Sequence, residues 1–375
     1  MNKKRIPLIL CALILLGSVI PGTTARAAGG VPGVSAASFI LLDASTGEVL
    51  AAHDADRQML IASTTKIMTA ALVLAHCDPD EMVEIQPEHT GIEGSSMYLR
   101  AGETISVRDL LYGLMLASGN DTAVALAYHV AGGIAEFAAM MNAQAAQLGM
   151  ENSNFENPHG LDAENHHSTA RDMARLTAWA LTNPTFVEIA STRQTQAAGR
   201  HLANHNKMLW RYPDAIGVKT GYTRAAGRSL VSAAEREGTR LICVTLSAPS
   251  DWNDHTSLLN WGFANFRYYD IATPGYVLAT PYVISGTADT VNLIAADRIH
   301  LLLAPSDHVH IEIHAPRFLY AAVTAGEIGG LLTVEVNGEI IAQTPLLFDA
   351  SVERDETNRL SFWEHLQWHW RELAR

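Results

Sequence analysis

The sequence predicts an α+β domain followed by a small all-β domain, and two observations support this prediction. Strand-like hairpins flank a long helix-rich stretch, one at residues 39–50 and the other at residues 230–246. The composition then changes near residue 272, and from there to about residue 349 short strand-like runs alternate with turns. Because strands from both sides of a helical stretch can pair in one antiparallel sheet, the first domain is expected to be α+β.

The N-terminal segment is typical of an export signal. Positive residues at 3–5 precede an apolar run at 6–20, and residues 25–27 have the small-x-small pattern of a cleavage site. An uncleaved membrane anchor is less favoured, because the apolar run is shorter than about 18 residues. The expected segments are a signal peptide at 1–27, a leader at 28–36, a first domain at 37–272, a β domain at 273–352, and a linker with a terminal helix at 353–375.

The composition excludes several classes of protein. With 48% hydrophobic and 17% charged residues over 375 positions, the chain is expected to fold rather than to be disordered. A net charge of −13 without a basic run beyond residue 5 argues against a nucleic-acid partner. Arginine supplies 21 of the 26 basic residues, and the five lysines are Lys3, Lys4, Lys66, Lys207 and Lys219.

The elements of the first domain are predicted from periodicity and turn residues. The first hairpin turns at residues 45–47, and the second turns at residues 235–238. Helical spacing from Val107 to Leu114 leads to Gly119, which is expected to end that helix. Further helices are expected from residue 121 onward and at residues 169–181.

The β domain and the terminal segment have their own signals. Turns are expected at residues 285–286, 329–330 and 337–338, of which Asn337-Gly338 is the strongest hairpin signal. The terminal segment predicts an amphipathic helix whose apolar face could lie in a membrane interface, and packing on the protein itself is the alternative. That face comprises Phe362, Trp363, Leu366, Trp370 and Leu373.

Three short motifs, each present once, are expected to meet in one site. They are S-x-x-K at Ser63–Lys66, S-x-N at Ser118–Asn120 and K-T-G at Lys219–Gly221. Each motif alone is a weak signal, because two or three residues recur by chance. In this order, behind an export signal, they indicate nucleophilic catalysis by a serine.

The spacing of the first motif has a chemical reason. Ser63 is expected at the start of a helix, and Lys66 then lies on the same helical face within reach of the serine oxygen. A serine hydroxyl needs an adjacent base, and a lysine serves only if burial or a second cation lowers its pKa. Lys219 is the candidate for that second cation.

The other two motifs are expected to hold the substrate. Ser118 and Asn120 lie at a predicted junction between helices, which projects polar groups into a cleft. Gly221 lets a substrate backbone approach a strand edge, and Lys219 with Thr220 can hold a carboxylate.

The chain resembles the low-molecular-mass penicillin-binding proteins, which are serine-type D-alanyl-D-alanine carboxypeptidases of peptidase family S11. The resemblance covers roughly residues 36–375 and implies a catalytic domain of the penicillin-binding-protein/β-lactamase type, with an antiparallel sheet flanked by helices. It also implies the small β domain and the terminal amphipathic helix. Beyond the three motifs, it rests on residues 61–70, 94–99, 110–121, 157–162, 167–172, 218–223 and 330–339.

The resemblance implies a catalytic role for four positions. Ser63 would be the acylated nucleophile and Lys66 its base, while Ser118 would relay a proton and Asn120 would hold the substrate amide. It implies no metal and no organic cofactor.

Five further positions would bind the substrate. Lys219 and Thr220 would engage its terminal carboxylate, and Arg240 lies where the family often places an arginine for the same group. Gly221 would flank the substrate backbone, and the N–H of Tyr222 would join that of the nucleophile in an oxyanion hole.

The implied partners are a peptidoglycan stem peptide ending in D-Ala-D-Ala, β-lactam antibiotics and, through the terminal helix, a membrane surface. The implied location is the outer face of the cytoplasmic membrane, in the cell-wall space. Endopeptidase, β-lactamase or esterase activity at the same site is an alternative, although the β domain and terminal helix disfavour a β-lactamase. A non-catalytic wall-binding protein is another alternative, which the intact motifs disfavour.

The abundant histidines raise the question of a metal site. His308, His310, Glu312 and His314 alternate with apolar residues, so that on a strand they share one face at a spacing compatible with zinc. We favour the solvent-facing side of a two-faced sheet. The pair at residues 166–167 is expected to be structural.

Overall fold

A computed structural model describes residues 30–355, together with Gln367 and Trp370. Its helices are α1 (Lys66–His76), α2 (Val107–Met115), α3 (Asn120–Ala131), α4 (Ile134–Gln147), α5 (Ala170–Ala180), α6 (Pro184–Ser191), α7 (Met208–Arg211) and α8 (Asp251–Asn265). The first strands are β1 (Ser38–Asp43), β2 (Val49–His53), β3 (Met82–Glu84), β4 (Thr104–Ser106), β5 (Gln194–Ala197), β6 (Arg200–Ala203), β7 (Ala215–Thr223), β8 (Gly227–Arg236) and β9 (Thr239–Leu246). The remaining strands are β10 (Arg267–Ala272), β11 (Val277–Ala279), β12 (Tyr282–Ile284), β13 (Leu293–Ala295), β14 (Ile299–Leu303), β15 (Val309–His314), β16 (Phe318–Tyr320), β17 (Ile328–Val336) and β18 (Glu339–Phe348).

The described chain divides into two compact units. The first holds residues 31–235 and 240–259, and the second holds Gly30, residues 236–239 and the chain from Asn260 onward. The division falls within α8, earlier than the boundary expected at residue 272.

The first unit is built on a five-stranded sheet in the order β2-β1-β9-β8-β7. It therefore joins both ends of the helix-rich stretch, which confirms the predicted α+β arrangement. The first hairpin turns where expected, because the Asp43 carboxylate accepts hydrogen bonds from the N–H groups of Ser45 and Thr46 at 3.0 and 2.9 Å. β7 lies at the edge of the sheet and carries the third motif.

Helix boundaries follow their capping residues. Thr169 caps α5 by accepting from the N–H of Asp172 at 3.0 Å, and the predicted helix at 169–181 is confirmed. The expectation that Gly119 ends the preceding helix is wrong: α2 ends at Met115, and Gly119 is the N-cap of α3. A Cβ at Gly119 would lie 2.7 Å from side-chain oxygens of Asp121 and Thr122, so a larger residue does not fit this junction.

The core of the first unit packs side chains from α1, α2 and α3 together with the inner face of the sheet. Lys66 and Lys219, also in this unit, are among the largest fully buried side chains of the described residues, at 0% and 1% exposure. Lysines are almost never buried this completely without a specific partner. These two residues therefore mark the place where the fold departs from ordinary packing.

The second unit contains a five-stranded sheet in the order β11-β13-β18-β17-β15. Asn337 and Gly338 both have positive φ, at 55° and 86°, in the tight turn between β17 and β18, which confirms the predicted hairpin. The predicted turn at Gly329-Gly330 is wrong, because both residues lie inside β17. A Cβ at Gly329 would meet Leu293 and Phe348 at 2.5 Å, so close packing explains the glycine.

The histidine-rich strand is β15, at one edge of this sheet. All six of its residues are exposed, including the apolar Ile311 and Ile313, so the expected buried apolar face is absent from this described strand. His314 Nε2 lies 3.1 Å from a carboxylate oxygen of Glu312.

The predicted signal peptide and the terminal helix lie outside the described residues, apart from Gln367 and Trp370, and both stay predictions. Among the residues described, no single helix is long and apolar enough to cross a membrane. The pair α3 and α4 passes this test only in combination, with a bend of 82° between them.

Candidate active site

The candidate nucleophile lies in a 3₁₀ turn at Ala62–Thr65 that leads directly into α1. The Thr64 hydroxyl donates to the Ile61 carbonyl at 2.6 Å, and the Thr65 hydroxyl lies 2.8 Å from His166 Nε2. Burial lowers the pKa of His166 to about 4, which keeps its ring neutral at pH 7. His166 thus has the structural role expected for it, and it fixes the turn that presents Ser63.

Lys66 makes three polar contacts at the start of α1. Its Nζ lies 2.9 Å from Ser63 Oγ, 2.7 Å from Asn120 Oδ1 and 2.6 Å from the His159 carbonyl oxygen. The structure therefore brings together the serine and lysine of the first motif with the asparagine of the second. The His159 carbonyl is an additional member of the site.

The electrostatic environment favours the neutral form of this lysine. Burial, followed by the positive charge of Lys219, holds the pKa of Lys66 well below its usual range, against an opposing effect of Asp121. A neutral amine has two N–H donors and one lone pair. The Asn120 and His159 oxygens can only accept, so they take the two donors, and the lone pair is left for the Ser63 hydroxyl. The contacts thus define a base aimed at the candidate nucleophile.

The second motif occupies the junction between α2 and α3. Ser118 is buried there with a left-handed φ of 60°. Asn120 Nδ2 donates to the Glu93 carbonyl, which fixes its amide so that the oxygen faces Lys66. The buried Asp121 carboxylate accepts from the N–H groups of Met97 and Leu99, each at 3.0 Å, and holds the segment at 94–99 against the motif.

A loop at residues 157–162 packs against the nucleophile turn. Gly160 has a φ of 85°, and a Cβ there would lie 1.9 Å from the Ala62 carbonyl oxygen. The Pro158 carbonyl accepts from Thr69 on α1 at 2.6 Å. This loop therefore presents the His159 carbonyl to Lys66 only because residue 160 has no side chain.

The third motif lies on the edge strand β7. Lys219 Nζ donates to the Thr220 carbonyl at 3.0 Å, and burial lowers the pKa of Lys219 to about 7. A Cβ at Gly221 would lie 3.1 Å from the backbone nitrogen of Ser63, so the strand and the nucleophile turn approach closely at this residue. The Tyr222 side chain is 66% exposed.

The motifs border a cavity of about 760 Å³. Its lining includes the motif residues Ser63, Ser118, Thr220 and Gly221, together with Tyr222. Three cationic side chains, Lys207, Arg211 and Arg228, outnumber one carboxylate, Asp251. The cavity is thus locally basic in a chain of net charge −13. The other lining residues are Ser95, Asn204, His205, Pro249, Ser250, Trp252 and Asn253.

Arg240 is not brought to this site, which corrects the role expected for it. It lies beside the turn between β8 and β9, where its guanidinium donates to the Glu235 carboxylate at 2.7 and 2.9 Å. Lys219 and Thr220 pair instead with Val231 and Leu230, toward the other end of β8. Arg240 is not among the described residues that line the cavity.

Comparison with known proteins decides the family. The sequence profile of the D-alanyl-D-alanine carboxypeptidase family, peptidase S11, matches residues 24–250, which is more than half of the chain. The chain belongs to this family of serine hydrolases. Residues 266–354 match the C-terminal domain of penicillin-binding protein 5. The family and fold class predicted from the motifs are therefore confirmed.

Individual relatives of this S11 carboxypeptidase family member cover most of its length. D-alanyl-D-alanine carboxypeptidase DacC of Escherichia coli K12 is 34% identical over 343 residues, spanning 86% of this chain and 85% of the relative. Penicillin-binding protein 5 of Haemophilus influenzae has 30% identity and a TM-score of 0.68, covering 87% of this chain and all of its own. A mutant of the Streptomyces K15 DD-transpeptidase has 34% identity and a TM-score of 0.60, covering 62% of this chain and 99% of its own.

Arg228 of this S11 family member lies in the same cavity and was not predicted from the sequence. Arg228 pairs across the strands with Tyr222, next to the third motif. Its guanidinium is held by Asp251 at 2.9 and 3.1 Å and lies over the Trp252 ring, 5.6 Å from the centroid. Strand register could have predicted this position. Arg228 follows the turn after the third motif, so the antiparallel strand β8 brings it back beside that motif.

Proposed function

We propose that this chain is a serine-type D-Ala-D-Ala carboxypeptidase that removes the terminal D-alanine from peptidoglycan stem pentapeptides through an acyl-enzyme on Ser63. Penicillin would acylate the same serine. The observation that supports this proposal is the buried Lys66 amine, 2.9 Å from Ser63 Oγ, with both of its N–H donors occupied by oxygens that can only accept.

In the acylation step, the Ser63 proton passes to Lys66 Nζ while Oγ attacks the carbonyl carbon of the D-Ala-D-Ala peptide bond. The N–H groups of Ser63 and Tyr222 stabilise the oxyanion. Ser118 relays this proton from Lys66 Nζ to the leaving nitrogen, the C–N bond breaks, D-alanine departs and Lys66 is neutral again. Water then attacks the ester with Lys66 as base, which frees the shortened peptide and restores Ser63. Asn120 holds the substrate amide.

The substrate's terminal carboxylate is bound by Lys219, Thr220 and Arg228. Arg228 takes the place of Arg240 in this proposal because it lines the cavity with a positioned guanidinium. Asp251 accepts from two of its five N–H donors, and the fork geometry of a guanidinium suits a carboxylate.

Replacement of each of these two arginines by glutamine, in separate variants, tests that assignment. The Arg228→Gln variant is expected to lose about 10- to 100-fold in kcat/KM for a stem pentapeptide, mainly through KM, because a charged hydrogen bond to the carboxylate is lost. The matched Arg240→Gln variant is expected to stay within about twofold, since Arg240 pairs with Glu235 outside the cavity. Equal losses in both variants would contradict the assignment.

The two motif lysines predict a bell-shaped dependence of kcat/KM on pH. Lys66 must be neutral, so activity falls as pH drops through its lowered pKa. Lys219 must be charged to bind a carboxylate, so activity also falls as pH rises through its pKa of about 7. In Lys219→Arg the cation persists to higher pH, and the alkaline limb should move upward. An unchanged alkaline limb would show that another group titrates there.

The proposal is tested with the purified chain, a stem pentapeptide and penicillin. Release of D-alanine together with slow turnover of penicillin supports the carboxypeptidase. Rapid penicillin hydrolysis would indicate a β-lactamase, and cleavage of a cross-linked dimer alone would indicate an endopeptidase. Because a structural relative is a DD-transpeptidase, an acceptor amine should be included to measure competition with water.

We also infer that the terminal segment at 353–375 carries a membrane-anchoring helix and that the chain acts on the outer face of the cytoplasmic membrane. The aromatic face predicted from the spacing of apolar residues in this segment supports the inference. Deleting residues 361–375 should release the protein from membranes without loss of D-alanine release. Retention of the truncated chain on the membrane would contradict the anchor.

A further inference from the structure

A cysteine, a glutamate and a histidine meet in the first unit, away from the cavity. The ligand atoms of Cys77, Glu81 and His129 all lie within 4.8 Å of one another, and no other such group of three occurs among the described residues. The histidines of β15, whose spacing is compatible with zinc, do not form such a group. We propose that Cys77, Glu81 and His129 form a site for a zinc ion.

The three side chains come from two places in the chain: Cys77 and Glu81 lie on the loop between α1 and β3, and His129 lies on α3. Cys77 follows the last residue of α1, and its N–H is bonded to the Val73 carbonyl at 2.9 Å. Glu81 lies before β3, and its carbonyl accepts from Val107 at 2.9 Å. His129 lies in the last turn of α3. Their convergence is therefore a property of the packed fold.

The glutamate is already oriented as a ligand. One carboxylate oxygen accepts from the N–H of Asp78 at 2.7 Å, and the other lies 3.0 Å from His129 Nε2. Glutamate carboxylates are ordinarily ionised at neutral pH. An anionic oxygen thus faces the imidazole nitrogen, with the thiol beside both.

The donor set matches the chemistry of zinc. Thiolate sulfur, imidazole nitrogen and carboxylate oxygen are its ordinary ligands, and bonds of about 2.0 to 2.3 Å place tetrahedral ligands about 3.3 to 3.8 Å apart. The ligand atoms lie within 4.8 Å of one another, so exposed or half-buried side chains must move closer by about 1 Å to reach this spacing. Zn²⁺ displaces the thiol proton of Cys77 to solvent and binds the resulting thiolate, and water completes the coordination.

The position of the site gives it a structural role. α1 begins at Lys66 and α3 begins at Asn120, and both helices end beside the zinc ligands. Because α1 has eleven residues, its two ends, one at Lys66 and the other beside the zinc ligands, are about 16 Å apart. A zinc ion here joins the far ends of the two helices whose first residues hold the candidate nucleophile and substrate amide. The ion therefore stabilises the fold that positions these residues and takes no part in the reaction.

Zinc binding is measured on the purified chain by competition with a chromogenic chelator. We expect one tight Zn²⁺ per chain and an affinity at least tenfold weaker in Cys77→Ser and His129→Gln. The matched control is His310→Gln, which removes an exposed histidine on β15 and should bind zinc as the wild type does. Equal zinc affinity in all of these proteins, or loss of binding only in His310→Gln, would overturn the proposal.

Thiol protection gives a second measurement that does not depend on activity. The Cys11→Ser substitution removes one of the three cysteines of the chain. Of the other two, Cys77 is half-buried and Cys243 is fully buried, so a thiol reagent reports on Cys77. One equivalent of Zn²⁺ should slow this reaction at least tenfold and raise the melting temperature by several degrees, and neither change should occur in His129→Gln. Modification at the same rate with and without zinc would contradict the site, whatever the outcome for D-alanine release.

Discussion

Replacement of Lys66 by methionine is expected to slow acylation of Ser63 by about a thousandfold or more, the usual contribution of a positioned general base. Methionine keeps most of the buried volume but has no lone pair for the Ser63 proton. It also leaves the Asn120 and His159 oxygens without their donor, so a stability loss of about 1–3 kcal/mol accompanies the loss of rate. The rate of labelling by a fluorescent penicillin measures the first effect and thermal unfolding the second.

Lys207 provides the matched control for that variant. It lines the same cavity, but its side chain is exposed, and it serves as neither base nor buried cation. Lys207→Met should therefore label within a few-fold of the wild type. If Lys207→Met were as slow as Lys66→Met, the effect would come from the positive charge of the cavity and not from a base at Lys66.

Replacement of Gly160 by alanine is expected to have the largest effect on stability. A left-handed φ costs a non-glycine residue about 1–2 kcal/mol, and overpacking adds about 1–3 kcal/mol. The new Cβ would lie 1.9 Å from the Ala62 carbonyl oxygen, so the nucleophile turn must move. We expect a loss of about 2–5 kcal/mol in the free energy of unfolding, together with slower acylation.

Gly149→Ala separates the two contributions to that loss. Gly149 also has a left-handed φ, at +67°, but a Cβ there would meet no atom within 4 Å. This variant should lose about 1–2 kcal/mol and acylate at the normal rate. Equal losses for the two variants in denaturant unfolding would show that the contact between Gly160 and Ala62 is not important.

The sequence predicted those parts of the site that depend on local spacing. Ser63 and Lys66 are three residues apart at a helix start, so their contact follows from helical geometry. The His159 carbonyl could not be predicted in this way, because a backbone oxygen carries no residue identity and its position depends on a distant loop. Gly160 is visible in the sequence, but only the packed structure shows that a Cβ at this position would strike the Ala62 carbonyl oxygen.

Strand register explains why Arg228 lies in the cavity and Arg240 does not, and close packing explains Gly329. Arg240 was assigned from its approximate place in the family, but the short turn between β8 and β9 keeps it beside Glu235. Arg228 reaches the site because β8 returns antiparallel to the third motif. Gly329 was interpreted as a turn residue, although packing against Leu293 and Phe348 can require glycine inside a strand as well.

The central claim is that Ser63 is the nucleophile, and it is tested most directly by locating the covalent adduct. The purified chain is incubated with penicillin, its intact mass is measured, and the labelled peptide is identified after digestion. We expect one adduct per chain on Ser63, no adduct in Ser63→Ala, and D-alanine release from a stem pentapeptide only by the protein that labels. An adduct on another residue, or an unlabelled wild type, would contradict the mechanism.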